Sequence, residues 1–185
     1  IVDPNQDRAA QIAQKLSTRA CTDAAQILGQ VDAVSIVAPA VLHHRLAKQF
    51  LAAGVHVLLE KPITVTVEEA DELIDIASAK HTVLQIGHIE RFNPAHRGIK
   101  SLLKAPRYLQ SERSAPFTIR CTDVNVVLDL MIHDLDIATD LAGSRPRLVS
   151  AAGASVITRE IDSASARIVF ENACIADISS SRVSD

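Results

Sequence analysis

Tryptophan is absent from this chain, tyrosine occurs once, at Tyr108, and there is no run of lysine or arginine. Bases would find neither a stacking platform nor a basic track, which excludes the common modes of nucleic-acid binding. No apolar stretch approaches the roughly 18 residues of a membrane span. The sequence opens directly on Ile1-Val2-Asp3, without the pattern of a signal peptide. Cysteine is scarce too: Cys21, Cys121 and Cys174 lie far apart with no C-x-x-C spacing. That argues against a disulfide framework or a thiolate metal site, and the three are expected to be reduced core residues of a cytoplasmic protein. The six glycines, at 29, 54, 87, 98, 143 and 153, form no Gly-x-Gly-x-x-Gly loop. What is present is the makings of a core: 48% hydrophobic residues, 22% charged and a net charge of -3 over 185 residues. This suffices for one full domain with a core of its own, or for one domain and part of a second. No internal repeat and no low-complexity segment interrupts it.

Taken in order, Ile1-Val2-Asp3-Pro4 reads as the end of a strand, followed by a helix with Ala9, Ile12, Ala13 and Leu16 at helical spacing. Thr22 is expected to cap a short helix through Ile27 and Leu28. Residues 31–37 form a β-branched run with the look of a buried parallel strand, ended by Ala38-Pro39. A helix then carries Leu42, Leu46, Phe50 and Leu51 on one side and stops at Gly54, which can supply the left-handed position. Residues 55–59 are the next strand. Thr66-Val67-Glu68-Glu69 fits a capping box, opening a helix with Ala70, Leu73, Ile74 and Ala77 inward. Residues 82–86 follow as a strand closing at Gly87. Strands alternating with helices predict βαβ units and a parallel sheet. Asn93-Pro94 places a cap and an N1 proline at the head of a helix running to about Lys104.

Beyond this point the texture changes. Residues 107–113, 148–158, 164–170 and 174–180 read as strands with no helices between the last three, which predicts a mostly antiparallel sheet. The last pair is joined at Glu171-Asn172-Ala173, where Asn172 can adopt a left-handed turn. One strong helix, residues 126–142, ends at Gly143. The predicted class is therefore α/β: a Rossmann-type parallel sheet over residues 1–90, lacking its first strand and glycine loop, then an α+β domain over 91–185.

Two polar features stand out. In Val57-Leu58-Leu59-Glu60-Lys61-Pro62 an apolar run ends in an acid, a base and a proline, so a buried strand delivers charge to its carboxyl end, where open α/β sheets bind ligands. Pro62 ends the strand and restricts the backbone of Lys61, so the amine is aimed. In isolation such a pair would be an ordinary surface ion pair. On the second-domain helix, Asp129, His133 and Asp136 fall at i, i+4 and i+7 and share a face, with Leu128, Met131, Leu135 and Ala138 on another. An imidazole between two carboxylates should hold its proton more firmly and be oriented for general acid/base work. A solvated acidic face and a divalent-metal site are the other readings of that stripe. The His133-Asp134 pair of an all-helical phosphohydrolase is set aside because of the strands. His43 follows the Ala38-Pro39 strand end, on the edge that carries Lys61. His88, with Arg91 and Asn93, clusters at the expected domain junction.

Glu60-Lys61-Pro62 after a strand, Pro39-x-x-x-His43 one βα unit earlier, Gly87-His88-x-x-Arg91-Phe92-Asn93-Pro94 one unit later, and Asp129-x-x-x-His133 in the second domain together resemble the glucose-fructose oxidoreductase and inositol dehydrogenase (Gfo/Idh/MocA) family. The resemblance covers essentially the whole chain. The segments 87–94 and 122–134 look most like its nucleotide-sugar branch, the UDP-N-acetylglucosamine 3-dehydrogenases. The resemblance implies a domain binding NAD, with NADP the alternative, and a sheet domain that holds a sugar or nucleotide sugar. Hydride would leave a secondary alcohol carbon, C3 of a UDP-N-acetyl sugar. It assigns His133 as base, Asp129 as the group setting its tautomer, and Lys61 as hydrogen-bond donor to the reacting oxygen that shares the proton work. Asp3 would take the adenosine ribose hydroxyls, favouring NAD. Ala38, Pro39, His43, Glu60 and Lys61 would line the cofactor, and His88, Arg91 and Asn93 the substrate. A cis peptide before Pro62 is expected, no metal is, and a homo-oligomer through the second-domain sheet is implied. The alternatives are a dehydrogenase of inositol or a free sugar, and a non-catalytic, ligand-sensing member of the fold.

One departure matters. A dinucleotide fold carries its glycine loop roughly 20 residues before the ribose acid, yet only two residues precede Asp3. The chain is expected to be part of a longer enzyme, with cofactor binding crippled in its absence.

Overall fold

The computed structural model describes residues 1–118 and 124–183. Cys121, and the Thr122-Asp123 part of the motif quoted above, lie outside the described residues. The chain divides into two compact units. The first comprises residues 1–38, 42–59 and 66–85, the second residues 39–41, 60–65 and 86 onward.

In the first unit, α1 spans Gln6–Lys15, β1 Ala33–Ile36, α2 His43–Ala52, β2 His56–Leu59 and α3 Val67–Lys80, with β3 at Leu84–Ile86. The strands lie in the order β1-β2-β3, and β1 pairs β2 in parallel from Ala33 opposite His56 to Ile36 opposite Leu59. Parallel neighbours need long crossovers, and α2 and α3 supply them. The helix ends follow local chemistry. Asn5 caps α1 by accepting from the amide of Arg8, and Thr66 caps α3 by accepting from that of Glu69. Gly54 adopts φ 81° just beyond α2. Residues such as Phe50, Leu51, Val57, Leu59 and Leu73 are buried.

Three expectations for this unit are corrected. The short helix at Ala24–Ile27 is a 3₁₀ turn capped by Asp23, whose carboxylate accepts from the Ala25 amide at 2.9 Å; the acid, one residue nearer, displaces Thr22. Ile74 is exposed rather than inward, because the buried stripe of α3 is as narrow as Leu73 and Ala77, and Leu16, just past the end of α1, is exposed too. The β-branched run 31–37 is a strand only over its middle four residues, and its burial alternates: Ile36 is 5% exposed and Val37 78%.

In the second unit, α4 spans Pro94–Leu102, β4 Tyr108–Ser114, α5 Ile132–Ala142, β5 Pro146–Ala154, β6 Ser163–Phe170 and β7 Ile175–Ser181. The four strands form one mixed sheet in the order β4-β7-β6-β5. β5 with β6 and β6 with β7 are antiparallel, while β4 joins β7 in parallel. One face of β6 and β7, with Ala164, Ala166, Ile168, Phe170, Ala176 and Ile178, packs on Val126, Met131, Ala138 and Ala142 to make the core.

The expected single helix over 126–142 is two: a π-helical turn at Val127–Met131 runs into α5. Asn125 supports its start, accepting from the amides of Val127 and Leu128 at 3.1 Å each. The β6–β7 turn places Ala173, at φ 65°, in the left-handed region rather than Asn172. The Asn172 side chain is used as a brace, accepting from the Cys174 amide and donating to the Ala142 carbonyl. Residues 155–158, expected in a strand, are not in one. The amides of Val156, Ile157 and Thr158 all donate to one oxygen of Asp162 at 2.8 Å. A buried carboxylate has here captured the donors a ladder would have used.

Candidate active site

β2 ends at Leu59 and hands the chain to Glu60-Lys61-Pro62, where the Lys61–Pro62 peptide is cis as expected. The Lys61 side chain is mostly buried, and its Nζ donates to the Asp129 backbone carbonyl at 2.7 Å and to the Asp129 carboxylate at 3.2 Å. The π turn thus offers the backbone oxygen and one carboxylate oxygen of a single residue to one ammonium. Wide turns of this kind recur at functional sites. Glu60 sits against Gly87: a Cβ there would lie 3.1 to 3.2 Å from the Glu60 carboxylate atoms.

His133 is half-buried, and among the described residues its Nδ1 is buried with no hydrogen-bond partner. Burial first, then the charges of Lys61 and Arg113, push its imidazole below the ordinary value. Glu90 and Asp134 oppose this more weakly. The expectation of a ring held between two carboxylates, with its proton more firmly bound, is therefore corrected. The π turn breaks the i, i+4 register, Asp129 turns to Lys61, and Asp136 turns away to Arg91. A half-dry imidazole among cations is kept neutral, the form that can accept a proton.

Asp136 receives Arg91 through Nε at 2.8 Å and Nη2 at 2.7 Å, and Arg91 Nη1 reaches Asp140 at 3.3 Å. His96 and Lys100 of α4 also bond Asp140. Asn93 caps α4 through the Ala95 amide and bonds Glu90. Arg91 and Asn93 are thus engaged in holding α4 and α5. His88 Nδ1 is buried and lies 3.9 Å from Asp136, beyond hydrogen-bond reach. Sequence reasoning missed the partner that fixes α5 on the sheet: Asp134, 5% exposed, takes Arg113 Nε at 2.6 Å and the Ser111 hydroxyl at 2.8 Å. The alternating polar positions Ser111 and Arg113 on β4 are the signal that could have found it.

In the first unit, His43 is 1% exposed and its Nε2 donates to the Ala38 carbonyl at 2.9 Å, so the ring braces the turn after β1 from inside. Asp3 follows Val2, which bridges Cys21 in parallel. The Asp3 carboxylate accepts from Arg8 Nε at 2.6 Å, Arg8 Nη2 at 3.0 Å and the Asn5 amide at 2.8 Å. These bonds hold it below the ordinary carboxylate range.

The residues present fit part of a dinucleotide: Asp3, next to the Val2–Cys21 bridge, is an anionic acceptor of the kind that takes ribose hydroxyls, and the missing side chain at Gly87 lets the Glu60 carboxylate pack directly on the backbone. Among the described residues no helix is long and apolar enough to cross a membrane, and no three His, Cys, Asp or Glu side chains gather as a metal site.

Comparison with known proteins gives a consistent result. A family described as "Oxidoreductase family, NAD-binding Rossmann fold" matches residues 1–88, and the "GFO/IDH/MocA C-terminal domain" matches residues 105–185. UDP-N-acetylglucosamine 3-dehydrogenase of Acidithiobacillus ferrooxidans is 45% identical over 99% of this chain and 59% of its own length. A solved structure of that dehydrogenase superposes with a TM-score of 0.91 at 44% identity, over 99% of this chain and 61% of its own. The scyllo-inositol 2-dehydrogenase (NAD(+)) of Bacillus subtilis is 26% identical over 98% of this chain and 58% of its length. The chain therefore spans about three fifths of the length of these two relatives.

Proposed function

Because the chain belongs to the Gfo/Idh/MocA oxidoreductase family, we propose that the whole protein is an NAD-dependent dehydrogenase oxidising a secondary alcohol of a nucleotide sugar, C3 of UDP-N-acetylglucosamine. The observation that carries this reading is the pairing of Lys61 with Asp129 beside a half-buried His133 whose Nδ1 has no hydrogen-bond partner among the described residues. NAD, when bound, supplies the hydride acceptor. The neutral imidazole of His133 accepts the hydroxyl proton as the carbon loses its hydride, and Lys61 donates a hydrogen bond to the same oxygen, stabilising its partial negative charge. Asp129 acts through Lys61: two acceptors on one ammonium fix where it points. In this reading residues 1–90 carry the cofactor, through Asp3, the Ala38-Pro39 turn that His43 braces, and Glu60. Residues 91–185 carry the sugar and the contacts between copies, and His88, just before that boundary, also faces the sugar. The protein works in the cytoplasm as a homo-oligomer; a monomer by light scattering of the full-length protein would count against the assembly.

Gly87→Ala tests the cofactor side. The added methyl group displaces the Glu60 carboxylate by a few tenths of an ångström, and the KM for NAD is expected to rise on the order of tenfold with the melting temperature little changed. An unchanged KM would remove Glu60 from the cofactor site.

The substrate is tested by incubating the full-length protein with NAD and UDP-N-acetylglucosamine, myo-inositol, scyllo-inositol or glucose, and following the absorbance of the reduced nicotinamide. Reduction with the nucleotide sugar alone is expected. Reduction with an inositol instead would reassign the substrate, and NAD binding without reduction by any of these compounds would favour a ligand-sensing role.

A further inference from the structure

We propose that Asp134 and Arg113 are a positioning pair for the chemistry: clamped to one another, they fix the bearing of His133 and hold a cation near it. The inference rests on the reading of His133 as the base and concerns what places that ring. Its Nδ1 has no hydrogen-bond partner among the described residues. With no carboxylate gripping that nitrogen, placement falls to the backbone that carries the ring, and the next residue pins that backbone. Asp134, 5% exposed, accepts from Arg113 Nε at 2.6 Å and Nη2 at 3.1 Å, one oxygen each, and from the Ser111 hydroxyl at 2.8 Å. A bidentate guanidinium–carboxylate pair fixes direction as well as distance. Ser111 and Arg113 lie opposite Ile178 and Ser180 of β7, both 2% exposed, so the clamp stands on the buried part of the sheet. Successive side chains of an α-helix diverge by about 100°. Holding Asp134 on β4 therefore holds the direction in which His133 leaves α5.

The pair also acts on the ring by charge. After burial, Lys61 and then Arg113 oppose protonation of His133, while Glu90 and Asp134 favour it more weakly. The other acids of the stripe are bonded elsewhere, Asp129 to Lys61 and Asp136 to Arg91. Arg113 keeps its charge at every working pH, and Asp134 offsets part of it. A pair that only held α5 on the sheet would leave the titration of His133 where it is when altered without unfolding. This pair moves it, in a direction set by which charge is removed.

The test is the pH profile of kcat/KM in the full-length protein, with the His133 imidazole titrated by NMR in parallel and assigned by its loss in His133→Ala. Asp134→Asn keeps the shape and an acceptor oxygen but removes the negative charge. Its kcat is expected to fall by about tenfold to a hundredfold, with the KM for NAD within about twofold. The acid limb and the imidazole titration should both move to lower pH, because Arg113 is then less opposed. Arg113→Met combined with Asp134→Leu replaces the buried pair by apolar groups, a change that folds tolerate. A similar fall in kcat is expected there, but with both titrations moved to higher pH, since the stronger of the two charges acting on the ring is gone. Opposite shifts cannot come from a loosened fold. Shifts of the same sign in both variants, no shift in either, or an unchanged kcat overturns the role of the pair and leaves His133 in place as the base. An acid limb that survives in His133→Ala overturns the reading of His133 itself, and this inference with it.

Discussion

His133→Ala is expected to lower kcat for nucleotide-sugar oxidation by about 10²- to 10⁴-fold while changing the KM for NAD little, because it removes the group that takes the proton in the transition state. Lys61→Met is expected to lower kcat comparably. It removes the donor to the reacting oxygen and leaves the Asp129 carboxylate and carbonyl facing the site with no cation between them. The two residues act on one oxygen, so the double variant should be far less impaired than the product of the single effects. Steady-state kinetics of the three variants checks this. Undiminished turnover in either single variant would remove that residue from the chemistry.

Arg182→Met is expected to cost about 3 kcal/mol of stability, seen as a fall of roughly 6 to 12 °C in the melting temperature. Asp162 is fully buried, and Arg182, 4% exposed, donates to it through Nε at 2.8 Å and to the Val124 carbonyl through Nη1 at 3.0 Å. Without Arg182 the carboxylate keeps three amides and the Thr158 hydroxyl, which places the cost at the low end for an interrupted buried pair. Burial alone would raise the Asp162 carboxyl, but the bonds from Thr158 and Val156, with Arg182, hold it far below the ordinary range. The sign follows. The unfolded carboxyl binds its proton near pH 4 and the folded one only at much lower pH. The stability from this site is therefore full above about pH 4 and is lost as the pH falls below it. Acid denaturation followed by circular dichroism should begin at higher pH in Arg182→Met; an unchanged acid transition and melting temperature would show that the pair is not a structural anchor.

How much of this was legible in the sequence depends on how local the cause is. Caps and turns within a few residues were readable: Thr66 at α3, Asn93-Pro94 at α4, Gly54 and Gly143 at left-handed positions. So was the change from a parallel sheet to a mostly antiparallel one, because helices alternate with strands in the first part and vanish between the last three; the parallel pairing of β4 with β7 was not. The stripe Asp129, His133 and Asp136 was legible as polar but not as a set of partners. Spacing arguments assume a regular α-helix, and the π turn at Val127–Met131 alters the angles they depend on. Lys61, 68 residues away from Asp129, decides what that acid does. Arg91 likewise decides for Asp136, and Asp162 draws Val156-Ile157-Thr158 out of the strand their β-branched side chains favour. Long-range charge pairs of this kind leave no periodic mark in a sequence.

The most direct test is the pH dependence of kcat/KM for NAD reduction by UDP-N-acetylglucosamine in the full-length protein. Burial and the charges of Lys61 and Arg113 depress His133, so the base form persists below the ordinary histidine value and the rate should hold as the pH falls through about 6.5. An acid limb centred below that point, and abolished in His133→Ala, is the predicted result. A limb at or above about pH 6.5, or one that survives in His133→Ala, would contradict the assignment of His133 as the base.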